Sequence, residues 1–325
     1  MFTTFERVFG IDLGTSNTVI FERGKGVVLN EPSVVARYEE TGDIAAVGSD
    51  AQAMIGRTPA NVAIEYPLRS GVIANFEMTS TMLRQFMKRI RGRSSFFRSA
   101  QVYISVPCGI TNVQKRAVEE TIVLKGAKKA VVVEEPLAAA IGAGLPVHEP
   151  IGHMVFNVGG GTSQAAILSM GGIVASRTTS RAGRALDLEL MEYVKRAHNV
   201  EIGERTAEEL KIRIGTADAS AEGRALEIRG RDVVNGLPRS IRLTSDELLP
   251  IVDDFAAGLV NTIRATLELC PPELAGDVVE QGILLCGGVS LLRGIDERIR
   301  ADTGVPVHLA ERPQECAAIG TGMML

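Results

Sequence analysis

The chain has 325 residues, of which 45% are hydrophobic and 23% are charged, a balance that is typical of soluble globular proteins and counts against a disordered chain. Its length suffices for two domains, or for one large α/β domain with its own core. The formal net charge of -4 gives no support to a nucleic-acid partner, because a duplex-binding protein usually has a basic excess.

Cysteine and histidine spacing gives no sign of a metal site. Cys108, Cys270, Cys286 and Cys316 form no C-x-x-C pair, and the histidines contain no i, i+4 pair. We expect the cysteines to be reduced, mostly buried thiols of a cytosolic chain. Residues 1–10 lack the features of a signal peptide, and no apolar stretch approaches the roughly 20 residues of a membrane span.

Strand and helix patterns alternate along the chain. Short apolar runs joined by glycine-containing turns predict strands at 8–13, 18–21 and 27–30, the start of an antiparallel meander. Apolar residues at helical spacing predict a helix at 79–90, with Gly92 as its stop. The later predicted elements are a strand at 101–106, a helix at 112–125, a strand at 130–133, a helix at 136–143 and a second meander from 153. This alternation indicates a sheet covered by helices.

One segment resembles another about half a chain away. Residues 9–18 and 155–164 each contain an apolar strand, then Asp12 or Asn157, one apolar residue, and a turn of small residues that leads into a second strand. A repeat at half-length predicts two similar domains that face each other. The boundary is expected near 146–152, which is rich in proline and glycine.

The two turns of small residues, the first loop (14–17) and the second loop (159–162), have the composition of phosphate-binding loops. Glycine allows the backbone to approach a ligand, successive N–H groups bind anions, and Ser or Thr hydroxyls add donors. A carboxylate beside such a loop can hold Mg²⁺ through its water shell. The alternative is a pair of ordinary tight hairpins. The chain lacks the P-loop and the dinucleotide fingerprint, which counts against both of those nucleotide folds.

A third glycine pair, Gly287-Gly288, follows an apolar strand. It would let the backbone lie against a flat base or a ribose, or it is simply a strand-to-helix turn.

These motifs resemble those of a known superfamily. Residues 12–15, 159–162 and 286–288 are similar to the phosphate-1, phosphate-2 and adenosine motifs of actin-like ATPases. Longer stretches resemble the MreB/Mbl family of bacterial cytoskeletal proteins in particular, and they lie at 11–18, 67–74, 134–146, 171–174, 199–215, 291–294 and 304–307. The resemblance extends over nearly the whole chain.

The resemblance implies an α/β, actin-like (ribonuclease H-like) two-domain fold with four subdomains and a central nucleotide cleft. Domain I is expected at 1–146, with subdomain IB at about 32–75, and domain II at 147–309, with subdomain IIB at about 198–245. The segment 310–325 is expected to return to domain I.

The resemblance also implies ATP and Mg²⁺ as cofactors. Asp12 would face Mg²⁺ through its water shell, Glu135 would orient the attacking water, and the Thr162 hydroxyl would lie near the γ-phosphate. The other nucleotide contacts that it implies are Gly14, Thr15, Ser16, Asn17, Asn157, Gly159, Gly160, Gly161, Glu204, Glu208, Lys211, Gly287 and Gly288. From the sequence pattern alone, Glu135 could equally be a carboxylate at a helix N-terminus, facing the helix dipole.

Several residues depart from the pattern of the family. Asn157 and Arg184 stand where the family usually has Asp, Val289 replaces a glycine, and Ser70 and Asn75 replace carboxylates. Asn cannot supply a negative charge to the Mg²⁺ shell, whereas an added Arg could partly replace the cation by pairing with phosphate.

These departures lead to the hypothesis of a divergent paralogue that binds ATP and hydrolyses it poorly. The alternative is that Asn157 is tolerated because Asp12 and Glu135 suffice, since an amide still reaches metal-bound water through hydrogen bonds.

The function that the resemblance implies is that of a filament-forming scaffold for cell shape and cell-wall synthesis. It would be cytoplasmic and peripheral on the inner face of the membrane. The implied partners are further copies of the chain, the lipid surface, and membrane proteins of cell elongation such as RodZ-like or MreC-like proteins, with no nucleic acid. The alternatives are an actin-fold sugar or acetate kinase, which would need an added substrate segment, and a DnaK-type chaperone ATPase, which would need a C-terminal substrate domain.

A basic, aromatic run at 88–98 is a candidate membrane contact. It combines five basic residues with the adjacent Phe96 and Phe97, which could wedge into the lipid interface while the cations meet anionic headgroups. The alternative is a basic helix end with buried phenylalanines.

Overall fold

The computed structural model describes residues 7–91, 100–123 and 127–324. Strands β1 to β10 are Val8–Leu13, Asn17–Glu22, Gly26–Pro32, Val35–Tyr38, Ile44–Val47, Val62–Glu65, Leu68–Arg69, Val72–Ile73, Gln101–Val106 and Lys129–Glu134. Strands β11 to β18 are His153–Val158, Ser163–Ser169, Gly172–Thr179, Val200–Glu201, Ala225–Asp232, Pro238–Thr244, Ile283–Cys286 and Val307–Leu309.

The helices cover and connect these strands. Helices α1 to α10 are Ser49–Met54, Phe76–Arg91, Asn112–Val123, Glu135–Gly142, Gly183–His198, Glu204–Ile214, Ser245–Leu267, Pro272–Gln281, Ile295–Thr303 and Cys316–Met323. A short 3₁₀ helix occupies Gly288–Leu291. Among the described residues, no helix has the length and apolar character needed to cross a membrane.

Two sheets with the same topology form the frame of the molecule. The first has the order β10-β9-β1-β2-β3 and the second the order β18-β17-β11-β12-β13. In the first sheet β1 is parallel to β9 and antiparallel to β2. In the second sheet β11 is likewise parallel to β17 and antiparallel to β12. The repeat predicted from the sequence is therefore confirmed as a repeat of structure, with β1–β2 equivalent to β11–β12.

Local patterns predicted most elements well. The strands expected at 8–13 and 101–106 match β1 and β9 residue for residue. The helix expected at 79–90 begins earlier, because the Asn75 side chain accepts a hydrogen bond from the backbone N–H of Met78 (3.0 Å) and so caps the start of α2. The helix expected at 112–125 is observed at Asn112–Val123, and the residues that follow it, like Gly92, lie outside the described ranges.

The central strands are apolar because helices cover them. Phe9 and Ile11 on β1 are fully buried in one cluster with Phe86 of α2. Phe156 on β11 is fully buried in another cluster with Phe255 of α7. Strands buried in this way read as continuous apolar runs, which explains the pattern that marked both as central strands.

The C-terminal helix α10 packs against α4 and β1 through glycines. A Cβ atom on Gly142 would lie 1.9 Å from the Cys316 carbonyl oxygen, and one on Gly320 would lie 1.8 Å from that of Ala138. At Gly10 a Cβ atom would lie 2.3 Å from the carbonyl oxygen of Ala318. Only residues without a Cβ allow these backbones to approach so closely.

Smaller sheets extend from the frame. Strands β5-β4-β6 and the β7–β8 hairpin lie between β3 and α2 in the chain, and β14-β15-β16 lies between α5 and α7. The domain limits expected from the sequence group these sheets as subdomains IB and IIB. Those limits, 1–146, 147–309 and 310–325, stay a prediction.

Candidate functional site

The turns of the two equivalent hairpins both line one cavity of about 290 Å³. A Cβ atom on Gly160 would lie 1.8 Å from Ser16 Oγ, and one on Gly161 would lie 2.2 Å from Thr15 Oγ1. The first and second loops therefore touch, and glycine is what permits the contact. The predicted site residues that line the cavity are Asp12, Gly14, Thr15, Ser16, Asn17, Glu135, Asn157, Gly159, Gly160, Gly161, Thr162, Glu208, Lys211, Gly287 and Gly288.

The first loop is held by a network of short hydrogen bonds. Gly14 N–H donates to the carbonyl oxygen of Asn17 (3.1 Å), which closes the turn. The Ser33 hydroxyl donates to the Gly14 carbonyl oxygen (2.7 Å). Gly71 N–H donates to Thr15 Oγ1 (2.8 Å), so the β7–β8 hairpin supports this loop from the side. These hydrogen bonds within the protein fix the conformation of the loop.

Asp12 lies at the carboxyl end of β1 and faces the cavity. The Ser105 hydroxyl donates to its Oδ1 (2.6 Å). Burial raises the pKa of Asp12, and the Ser105 hydrogen bond opposes that shift. A partly buried carboxylate of this kind is stabilised by a nearby cation.

Glu135 is the first residue of α4, and two amides hold its carboxylate. Asn157 Nδ2 donates to Oε1 (2.6 Å), and Gln164 Nε2 donates to Oε2. Burial is the main cause that raises the pKa of Glu135, and the neighbouring charge of Asp12 adds to it, while both amide hydrogen bonds oppose the shift. Asp12 and Glu135 are therefore two desolvated carboxylates beside one cavity.

Gln164 is a site residue that the sequence reasoning missed. It lies directly opposite Asn157 in the β11–β12 register, so that both amides reach Glu135. Its orientation is fixed, because its Oε1 accepts the backbone N–H of Cys108 (2.8 Å) and only its NH₂ group can then face Glu135. Its position in β12, directly after the second loop, was visible in the sequence. Its hydrogen bond to Glu135 was not, because that contact depends on how the two halves of the chain pack.

The second loop repeats the turn of the first. Gly159 N–H donates to the carbonyl oxygen of Thr162 (2.9 Å). The backbone N–H groups of Gly183 and Arg184 donate to the carbonyl oxygens of Gly159 (3.0 Å) and Gly160 (2.8 Å). The start of α5 is thereby attached to the second loop.

The third glycine pair closes the site beside the end of β11. Gly287 has a φ of 85°, and a Cβ atom there would lie 2.3 Å from the Val158 carbonyl oxygen. Gly287 N–H donates to the carbonyl oxygen of Pro313 (2.8 Å), which places Pro313 and Gln314 on the cavity wall. These last two residues were also missed, because no local motif marks them.

Helix α6 contributes unevenly to the cavity. Glu208 and Lys211 line it. Lys211 forms an ion pair with Asp187, with Nζ 2.7 Å from Oδ1 and a hydrogen bond to Oδ2 (2.9 Å). Lys211 Nζ also donates to the Gly183 carbonyl oxygen (3.2 Å). Glu204 is not among the lining residues, and its carboxylate instead accepts a hydrogen bond from the Tyr66 hydroxyl (2.8 Å). Its assignment as a nucleotide contact stays a prediction.

The described residues bear on the predicted Mg²⁺ site but not on the predicted membrane contact. Among the described residues, no group of three or more His, Cys, Asp or Glu side chains could hold a metal ion on its own. A cation here would therefore need ligands from water or phosphate besides Asp12. Phe96 and Phe97 lie outside the described residues, so the membrane wedge stays a prediction.

A family profile described as MreB/Mbl protein matches residues 6–325. The chain belongs to the MreB/Mbl family. It is 46% identical to the cell shape-determining protein Mbl of Bacillus cereus over 321 residues, which cover 99% of this chain and 96% of the relative. It is 45% identical to the cell shape-determining protein MreB of Escherichia coli K12 over 325 residues, covering 99% and 94%.

Solved structures show that this MreB/Mbl chain has the actin-like fold. The crystal structure of MreB 5 of Spiroplasma citri bound to AMPPNP superposes with a TM-score of 0.94 at 34% identity, covering 98% of this chain and 95% of the other. The MamK double helical filament matches with a TM-score of 0.78 at 20% identity, covering 97% of each chain, and supports the fold alone.

The departures from the MreB/Mbl pattern have local explanations. Asn75 caps α2, and Ser70 takes a left-handed conformation (φ 47°) in the β7–β8 turn. Val289 is buried, and its side chain would lie 3.0 Å from a Cβ atom on Gly183. The Val289 side chain therefore fits because residue 183 is glycine. The Arg184 guanidinium contacts Tyr66 and Glu204, and Arg184 does not line the cavity, so its expected pairing with phosphate stays a prediction.

Proposed function

We propose that this chain binds ATP with Mg²⁺ in the cleft and polymerises into membrane-associated filaments that scaffold cell shape and cell-wall synthesis. The observation that carries the proposal is the meeting of two equivalent small-residue loops across one cavity, in a chain of the MreB/Mbl family. Its relatives are described as cell shape-determining proteins, and a neighbour of the same fold is described as bound to AMPPNP.

The cavity has the chemistry that a nucleoside triphosphate needs. Glycines let the two loops approach each other closely at the cavity, and the hydroxyls of Thr15, Ser16 and Thr162 border it. Gly287 and Gly288 offer a flat backbone surface for the base or the ribose. Phosphoryl transfer depends mainly on positioning and charge neutralisation, which loops of this kind supply.

Mg²⁺ fits this site as a companion of the nucleotide. Asp12 is the residue that would hold it, through water, and the ion would neutralise phosphate charge. Two desolvated carboxylates, Asp12 and Glu135, favour a cation close by. Among the described side chains Ser105 donates to Asp12, and it occupies Oδ1 only. Asp12 therefore keeps acceptor capacity for metal-bound water.

We propose that hydrolysis is slow. Glu135 is the candidate to orient the attacking water and take its proton. Both of its oxygens already accept N–H groups, from Asn157 and Gln164, so each oxygen has only one lone pair left for a water molecule. Asn157 also adds no negative charge to the surroundings of Mg²⁺. The chain therefore keeps the groups that bind ATP better than those that cleave it.

Electron microscopy of the purified chain tests the proposed function. We expect filaments on lipid when Mg²⁺ and ATP are present, because a head-to-tail contact between identical subunits generates an open filament. Dispersed monomers in every condition, with and without ATP and lipid, would contradict the proposal. Two alternative functions, an actin-fold small-molecule kinase and a chaperone ATPase, would leave dispersed monomers, and membership of the MreB/Mbl family favours neither.

Membrane attachment is proposed through Phe96 and Phe97, with the chain cytoplasmic and peripheral on the inner face of the membrane. Liposome pelleting of a Phe96→Ser, Phe97→Ser variant should show a loss of binding to anionic vesicles. Phe76→Ser is the matched control, since Phe76 is an exposed phenylalanine elsewhere in the chain. Equal pelleting of both variants would reject the wedge. Partners of the RodZ-like or MreC-like kind belong to the same proposal.

A further inference from the structure

Tyr66, Arg184 and Glu204 meet beside the cavity and connect the two halves of the molecule. Tyr66 directly follows β6, whereas Arg184 lies in the first turn of α5 and Glu204 begins α6. The Tyr66 hydroxyl donates to Glu204 Oε2 (2.8 Å), and Arg184 Nη2 donates to the same oxygen (3.2 Å). The Arg184 guanidinium carbon lies 4.0 Å from the centroid of the Tyr66 ring.

The three side chains depend on one another. Tyr66 and Arg184 both donate to the same oxygen of Glu204. The Arg184 guanidinium also stacks on the Tyr66 ring. Burial and the adjacent Glu204 raise the pKa of Tyr66 to about 12, so its hydroxyl remains a donor at neutral pH. The removal of any one group should weaken both remaining contacts.

Each side of this contact is attached to one of the loops that line the cavity. On one side, the backbone N–H of Arg184 donates to the carbonyl oxygen of Gly160 in the second loop (2.8 Å). On the other side, the chain runs from Tyr66 into the β7–β8 hairpin, where Gly71 N–H donates to Thr15 Oγ1 of the first loop (2.8 Å). A change in the separation of the loops must therefore reach the contact.

We propose that Tyr66, Arg184 and Glu204 form a clasp that holds the two halves together beside the cleft and must open for the contents of the cleft to exchange. None of the three lines the cavity within the described residues, so the clasp lies beside the cavity and not in its wall. Its role as a gate for nucleotide rests on the function proposed above, whereas its role as a bridge between the halves does not.

The bridge can be tested without nucleotide because the chain contains no tryptophan. Tyr66→Trp removes the hydroxyl bond to Glu204 but keeps an aromatic face under Arg184, and it introduces a single tryptophan whose exposure reports on the remaining Arg184–Glu204 contact. In this background we expect Glu204→Gln to increase acrylamide quenching of the tryptophan by about twofold, since an amide holds a guanidinium less strongly than a carboxylate does. Glu209→Gln is the matched control, because Glu209 lies on the same helix and pairs with Arg213 (2.9 Å) within that helix.

The gate is tested by the release of a fluorescent ATP analogue, in proteins that do not have the Tyr66→Trp substitution. Tyr66→Phe and Glu204→Gln should each speed release by about three- to tenfold, and the double variant should release no faster than the quicker single variant, because both lose the same bond. Glu209→Gln should match the wild type.

The outcomes separate the clasp from the proposed function. Equal quenching in the Glu204→Gln and Glu209→Gln proteins overturns the clasp, whether or not nucleotide binds. Unchanged release rates in both clasp variants overturn the gate. A quenching difference in a protein that binds no nucleotide supports the bridge between the halves and counts against the proposed function.

Discussion

The ends of β1 and β11 are equivalent in topology but differ in charge. β1 ends near Asp12, whose carboxylate accepts one hydroxyl and otherwise faces the cavity. β11 ends near Asn157, whose amide donates to Glu135 and whose oxygen lies 3.5 Å from the Cys286 thiol that donates to it. One hairpin presents charge to a ligand, whereas the other uses a neutral group to hold a neighbouring carboxylate. Two hairpins of the same topology can therefore place different chemical groups beside one cavity.

Neutralising Asp12 should have the largest effect on the charged hairpin. Asp12→Asn keeps the acceptor for Ser105 but removes the charge, and we expect it to weaken Mg²⁺-ATP binding by about tenfold to a hundredfold, the scale of one charged hydrogen-bonding group. Binding of ATP in EDTA should change far less. Isothermal titration calorimetry measures both. The exposed Asp43→Asn is the control, and an unchanged Mg²⁺-ATP affinity in Asp12→Asn would refute the charged role of this hairpin.

The contact between the two loops gives the next effect. A Cβ atom at Gly161 would lie 2.2 Å from Thr15 Oγ1 and 2.6 Å from Thr15 Cβ, so Gly161→Ala should cost about 1–3 kcal/mol in the free energy of unfolding. Urea denaturation measures this cost. Gly276→Ala, at a helical site with open space around it, should be neutral or slightly stabilising. Equal stability of the two variants would show that the loops do not touch in solution.

The smallest effect concerns pH and the nucleotide-free protein. Because the pKa of Glu135 is raised in the folded state, the fold binds more protons than the unfolded chain above the ordinary carboxyl pKa. The stability contributed by this group is therefore full at low pH and is lost as pH rises through the raised pKa. The Tm of the wild type should therefore drop relative to that of Glu135→Gln by about 1–4 °C from pH 5 to pH 8, as measured by calorimetry. A constant difference would contradict the desolvation of Glu135.

The sequence was sufficient for the frame and for the loops, because both depend on local patterns. Apolar runs marked β1 and β9, and small residues marked the turns that repeat at half-length. The partners of individual side chains could not be read in this way. Gln164 meets Glu135 only through the β11–β12 register and the packing of α4, and Glu204 meets Tyr66 from 138 positions away in the chain.

The most direct test of the account is phosphate release by the purified protein, measured beside the Asn157→Asp variant. We expect slow release from the wild type and a rate about tenfold higher in Asn157→Asp, which returns a charge to the second hairpin and frees one oxygen of Glu135. Asn61→Asp adds the same charge at an exposed position that is not among the residues lining the cavity, and it should leave the rate unchanged. Robust turnover in the wild type that Asn157→Asp does not alter would contradict the account.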